Sequence, residues 1–190
     1  MNTITIKNIT GTILFTHTCE DNTVKLTVEQ AVRVGVNLWG ANLRGVNLEG
    51  GNLRDANLMV ADLRWANLRG ANLEGGNLRD ANLEGAKLRG ADLEGVDLID
   101  ANLWDTIGDQ TYIKNIDTPT YKVCYTSDRL QIGCKNYSFE EWLKFSDEEI
   151  EAMDREALSF WEENKAYIFD EIEANPAKPT NRGGVICSVK

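Results

Sequence analysis

Val36-Asn37-Leu38-Trp39-Gly40 and Ala41-Asn42-Leu43-Arg44-Gly45 open a run that continues to Ala101-Asn102-Leu103-Trp104-Asp105 without an insertion. Cut in fives, residues 36–105 read VNLWG, ANLRG, VNLEG, GNLRD, ANLMV, ADLRW, ANLRG, ANLEG, GNLRD, ANLEG, AKLRG, ADLEG, VDLID and ANLWD, fourteen units in all. Each unit starts with a small residue, nearly always follows it with Asn or Asp, has Leu third, varies at the fourth place and most often ends in Gly or Asp. A period of five fits neither regular element. On an α-helix five residues advance about 500°, so successive leucines would precess by about 140° and no face would stay apolar. On a strand an odd step alternates the leucines between two faces. The chain must therefore turn once per unit to bring every leucine inside. Gly, which tolerates positive φ, and Asp, which bonds its own backbone, make that turn cheap.

The A(N/D)LXX units resemble those of pentapeptide-repeat proteins. That resemblance implies a mainly β fold, a right-handed quadrilateral parallel β-helix with one unit per side and about twenty residues per coil. Fourteen units would then make about three and a half coils, a rod roughly 17 Å tall at the spacing of paired strands. Leu38, Leu43, Leu48, Leu53, Leu58, Leu63, Leu68, Leu73, Leu78, Leu83, Leu88, Leu93, Leu98 and Leu103 are expected to line its axis with the small first-place residues. Second, fourth and fifth residues would point outward.

Outside the repeat the chain reads as two appendages. Residues 1–35 form an amino-terminal cap: a β-branched hairpin turning at Thr10-Gly11-Thr12, then a short helix opened by the capping box Thr27-Val28-Glu29-Gln30 and stopped at Gly35. Such a cover is needed because a bare first coil would expose an edge of unpaired backbone groups. Residues 106–190 form the carboxy-terminal part. Tyr121–Tyr125 and Leu130–Ile132 read as a second hairpin, with Cys124 and Cys134 out of register for a disulfide. Ser138-Phe139-Glu140-Glu141 and Ser146-Asp147-Glu148-Glu149 are helix-starting capping boxes, and the second helix is expected to run from Asp147 to about Ala174. Ile150, Met153, Ala157, Phe160, Trp161, Asn164, Ile168 and Ile172 give it an apolar stripe, expected to pack on the repeat or to pair two copies as a homodimer. Val185–Val189 reads as an edge strand or a peptide offered to a neighbour.

Composition narrows the function. The net charge is -10 over 190 residues. The segment Ser138–Asn175 carries that whole excess, since the rest of the chain balances to zero. Direct nucleic-acid or anionic-membrane binding needs a basic surface, and no apolar run reaches the roughly 18 residues of a membrane helix. Cys19, Cys124, Cys134 and Cys187 lie far apart, which fits free thiols in the cytoplasm, the host's if the chain is phage-encoded. His17 and Cys19 lack the partner spacing of a zinc site, so no metal and no cofactor is expected. With one histidine, no phosphate-cradling glycine loop and carboxylates spread over surfaces, no catalytic constellation forms and no enzyme is expected.

Departures from the repeat consensus mark the candidate binding surface. In a four-sided register Trp39, Met59, Arg79 and Ile99 stack in one column, with Val60 and Trp65 standing nearby where Gly or Asp is usual and Trp104 ending the last unit. A contiguous apolar patch of this kind is covered either by the carboxy-terminal segment or by a protein partner. Some pentapeptide-repeat proteins are DNA-shaped inhibitors of type II topoisomerases, but six arginines interrupt the acidic sides that such mimicry requires. Residues 132–158 are similar to tails of phage and prophage repeat proteins. Together these features point to a non-enzymatic adaptor or inhibitor that binds a bacterial protein, such as an antiphage-defence nuclease, with gyrase mimicry or a structural, virion-associated oligomer as the alternatives.

Overall fold

The computed structural model describes residues 1–180, so the strand expected at Val185–Val189 lies outside the described residues. The repeat winds with a strict twenty-residue period. Parallel bridges join Asn42 to Asp62, Asn47 to Asn67, Asn52 to Asn72 and so on up to Lys87 and Ile107. Four units of five therefore complete one coil. From Leu43 to Leu88 each leucine N–H donates to the carbonyl of the second residue of the unit one coil on, as Leu43 does to Asp62 at 2.8 Å and Leu63 to Asn82 at 2.8 Å.

Each turn is built from two devices. The fifth residue of every unit has φ near +60°, from Gly40 at 64° to Asp105 at 53°. The second residue closes the turn from its side chain: Asn37 Oδ1 accepts from the Trp39 N–H at 3.0 Å, and Asn72 Oδ1 from the Glu74 N–H at 3.0 Å. The bond recurs along the rod, for example at Asp62, Asn82, Asp97 and Asn102. Asn and Asp are thus turn-closing residues as well as outward-facing ones. Inside, the leucines are fully or almost fully buried, with one exception: Leu98 is only partly covered.

The amino-terminal cap has the expected parts. Strands β1 (Asn2–Lys7) and β2 (Ile13–Cys19) form an antiparallel hairpin, and helix α1 (Val24–Arg33) follows. β1 reaches the first coil directly, where the Asn42 N–H donates to the Lys7 carbonyl at 2.8 Å and Asn8 bridges Ala41. Ile6, Val28 and Ala31 join the leucine core. The helix begins four residues earlier than its sequence suggests. Thr23 is the N-cap, accepting from the Leu26 N–H at 3.1 Å, while Thr27 lies buried inside the helix with its hydroxyl on Asn22 Oδ1.

Beyond the last coil, β3 (Lys114–Ile116), β4 (Val123–Tyr125), β5 (Arg129–Ile132) and β6 (Lys135–Ser138) make an antiparallel sheet in that order. The expected hairpin is its β4–β5 centre. Helices α2 (Phe139–Lys144) and α3 (Asp147–Glu151) start at the two capping boxes, both of which form. The long helix expected from Asp147 is broken: α3 ends at Glu151 and α4 (Ala157–Ala174) starts afresh. Asp154 holds the break, accepting from the Tyr121 hydroxyl and from the Glu156 N–H.

The apolar stripe packs within the carboxy-terminal part rather than on the rod's side. Ile150, Phe160, Trp161, Ile168 and Ile172 are buried with Val123, Tyr125, Leu130 and Trp142 in a second core between the helices and the sheet. The stripe, whose pairing of two copies is the alternative expectation, is buried within one chain. Cys19, Cys124 and Cys134 are free thiols. No helix among the described residues is long and apolar enough to cross a membrane.

Candidate protein-binding surface

Units twenty residues apart stack, so the apolar column forms as the period requires. Trp39 and Ile99 are exposed at 44% and 40%, with Met59 and Val60 half-buried between them. On the adjoining side Trp65 and Trp104 are 48% and 40% exposed. Among the described residues, the carboxy-terminal segment expected to fold back over this surface does not cover it, because the apolar stripe of its helices is spent on the sheet.

The surface has a defined electrostatic frame. The Arg44 guanidinium lies 4.3 Å from the centre of the Trp65 ring, and that of Arg64 lies 6.0 Å away. Arg64 also forks onto Asp62, with Nε to Oδ1 at 2.8 Å and Nη2 to Oδ2 at 2.6 Å. That side-chain hydrogen bond holds the Asp62 carboxyl below its usual range, against the opposing effect of burial. Arg79, inside the apolar column, reaches Asp97 at 3.7 Å. Arg64 and Arg79 therefore sit beside acids, and neither side presents an unbroken negative charge.

Val60 and Trp65 are special in backbone as well as side chain. Their φ angles of 61° and 57° place them in the left-handed region that the other units fill with Gly or Asp. A β-branched valine there is a strained choice. The substitutions are visible in the sequence, but the strain follows only once every fifth residue is known to share this conformation.

Among the described residues no cluster of three His, Cys, Asp or Glu side chains is placed to hold a metal. His17 lies on β2 in the cap, stacked on Phe15 at 6.3 Å between ring centres. Asp109 has a perturbed carboxyl, raised by burial, yet it is occupied in accepting from the Ile113, Tyr112 and Thr111 N–H groups after the last coil.

Pentapeptide repeats are recognised in eight copies over residues 37–75 and 77–107. The chain belongs to the pentapeptide-repeat family. Among solved structures it is similar to HetL, a pentapeptide repeat protein involved in heterocyst differentiation regulation in the cyanobacterium Nostoc sp. strain PCC 7120, at 40% identity over 40% of this chain and 37% of HetL, with a TM-score of 0.34. It is also similar to alr5209, a pentapeptide repeat protein of Nostoc PCC 7120, at 36% identity over 43% of this chain and 76% of alr5209, with a TM-score of 0.31. A third likeness is to QnrB1, a plasmid-mediated fluoroquinolone resistance protein, at 32% identity over 34% of this chain and 35% of QnrB1, with a TM-score of 0.22. The chain spans little more than a third of HetL and of QnrB1. No curated protein matches it.

Proposed function

We propose that this protein is a non-catalytic binding module that grips another protein through the tryptophan-bearing sides of its coil. The observation that carries this reading is the exposure of Trp39, Trp65 and Trp104, each 40% or more, on a backbone bonded from coil to coil, with no cover among the described residues. Tryptophan supplies large contact area at small entropic cost, and such residues dominate the energetics of protein interfaces. A ladder bonded at every coil holds them in fixed relative positions, so little ordering is left to do on binding. The finer reading is an adaptor or inhibitor carried by a phage or prophage and aimed at a bacterial host protein. Its support is the likeness of residues 132–158 to phage repeat-protein tails together with the acidic surface of the late helices. Mimicry of DNA toward gyrase is disfavoured by the pairing of Arg54 with Glu74, Arg64 with Asp62 and Arg79 with Asp97, which neutralises the sides a mimic needs negative.

Capture from bacterial lysate tests the reading. The wild type should retain a specific host protein, and Trp39→Ala/Trp65→Ala should lose it while keeping the wild-type urea midpoint. Arg69→Ala, on another side of the rod, should bind as the wild type does. Equal retention by the double variant would refute the assignment of the tryptophan sides, and loss only on changing exposed acids of α2–α4 would move the site to the carboxy-terminal part.

A further inference from the structure

Side chains complete the rod's backbone bonding in two ways. At its end Gln131 Oε1 accepts from the Leu103 N–H at 2.8 Å, and Asn136 Nδ2 donates to the Ala101 carbonyl at 3.0 Å. Along its length, thirteen of the fourteen units close their turn by giving the fourth-place N–H a second-place Asn or Asp acceptor, as Asn67 serves Arg69 at 3.3 Å. The remaining unit, Ala86-Lys87-Leu88-Arg89-Gly90, has lysine second. A lysine ammonium cannot accept, and the Arg89 N–H has no partner among the described residues.

The same place concentrates unspent positive charge. Lys87 and Arg89 are exposed, and exposed Arg69 stacks one coil below Arg89, at about the 4.8 Å spacing of paired strands, so like charges adjoin. Among the described residues none of the three pairs with an acid, whereas Arg54, Arg64 and Arg79 pair with Glu74, Asp62 and Asp97, and Arg44 lies on the Trp65 ring. The acids that extend this column are engaged elsewhere. Glu49 takes the Asn67 side-chain amide at 2.9 Å, and Asp109 takes backbone N–H groups after the last coil. Ile107, the ladder partner of Lys87, is exposed.

We propose that this side docks an acidic segment of a partner protein, one carboxylate accepting from the Arg89 N–H between Lys87 and the arginines while an apolar residue next to it rests on Ile107. The complete units define the occupant's chemistry: a carboxyl or amide oxygen belongs at this N–H, and the surrounding cations select the charged one. A nucleic-acid strand is disfavoured, because three cations stand against a net charge of -10. With four units to a coil, residues 86–90 face away from the Trp39 column. The acidic partner is therefore a different protein from the one held by the tryptophan sides, which is the arrangement of an adaptor.

Nuclear magnetic resonance of the full chain tests this, with a capped peptide of alternating leucine and aspartate as the probe. In the free chain the Arg89 N–H should exchange faster than the bonded Arg69 N–H. The peptide should shift the Arg89 amide downfield and slow its exchange, leaving the Trp39 indole signal unmoved. Replacing the aspartates by asparagines, or Lys87→Ala, should weaken binding about tenfold, as losing one charge-assisted hydrogen bond does. Lys87→Asn should close the turn from within, abolish the Arg89 response and raise the thermal midpoint. Any of these results would overturn the proposal: Arg89 as protected as Arg69 in the free chain; no response to millimolar peptide; an undiminished response in Lys87→Asn; equal saturation by inorganic phosphate, which means a free anion; or an Arg89 shift that follows protein concentration alone, which means the acidic helices of a second copy.

Discussion

The indole of Trp65 lies against the backbone of Gly85, one coil on: a methyl carbon placed on Gly85 would come 2.3 Å from Trp65 Cδ1. Both residues hold the fifth place of their units and both have left-handed φ, 57° and 64°. The tryptophan can lie flat along the corner only because its successor has no side chain. Gly85→Ala should therefore cost roughly 1–2 kcal/mol for the left-handed alanine and also push the indole off its seat. Urea unfolding reads the first effect and a shift in the emission of Trp65, isolated by replacing the other tryptophans with phenylalanine, reads the second. An unchanged spectrum would mean that the ring does not rest on Gly85.

Val60 makes the opposite prediction. Replacing a strained β-branched residue by one that accepts positive φ should stabilise the fold, so Val60→Gly should raise stability by up to about 1 kcal/mol, the relief exceeding the extra chain entropy of glycine. If Val60 also contacts a partner, the same variant binds more weakly although it is the more stable. Thermal unfolding beside a binding assay separates the two effects.

The leucine ladder should be strong in its middle and weak at its open end. Leu63→Ala removes a fully buried side chain with coils above and below, and should cost about 2–5 kcal/mol. Leu98→Ala should cost less than half of that, because Leu98 is already partly exposed. Equal losses in urea titrations would show that Leu98 is as enclosed as the rest.

Acid should loosen the molecule through its hydrogen-bonded carboxylates. The Asp62 carboxyl is lowered chiefly by the Arg64 side chain, that of Asp154 by the Tyr121 hydroxyl, and that of Glu141 by the Ser138 backbone N–H. A folded-state value below the unfolded one contributes stability that is complete above the unfolded value, about 4, and is lost as pH falls through the folded one. Asp109 has the opposite sign, being raised by burial, so protonating it favours the fold. Arg64→Gln should therefore move the acid unfolding midpoint upward, and Asp109→Asn should remove the opposing contribution. Circular dichroism against pH measures both.

The free thiols should differ in reactivity. Burial pushes the Cys124 thiol up to about 12, and its Sγ sits 3.4 Å from the Leu103 carbonyl against the end of the coil. Cys134 is exposed. A maleimide at neutral pH should modify Cys134 within minutes and leave Cys124 untouched until urea unfolds the chain. Peptide mass mapping identifies the labelled residue, and rapid labelling of Cys124 would show that the sheet lifts off the last coil.

The coil was legible because one constraint governs it: an odd leucine period obliges the backbone to turn, and the bridges at intervals of twenty residues are that constraint made visible. What the second-place Asn and Asp do was hidden, since a bond to the N–H two residues on leaves no mark in hydropathy. The late helices were legible at their starts, where Ser138 and Ser146 write local capping chemistry, and illegible at their breaks. Asp154 ends the helical run by taking the Tyr121 hydroxyl, from 33 residues earlier in the chain. The apolar stripe announced that it would be buried but not against what, because stripe and column are both simply apolar. Thr27 misled for a similar reason: its hydroxyl is spent on Asn22, and Thr23 caps the helix in its place.

Because stacked units are twenty residues apart, the chain's length also fixes the angle between its two ends. Adding four units would lengthen the post by one storey and leave both lids facing as before. Adding one would swing the carboxy-terminal lid through a quarter turn, carrying Gln131 and Asn136 to a neighbouring wall. Evolution can thus adjust height and orientation separately, by the number of units alone.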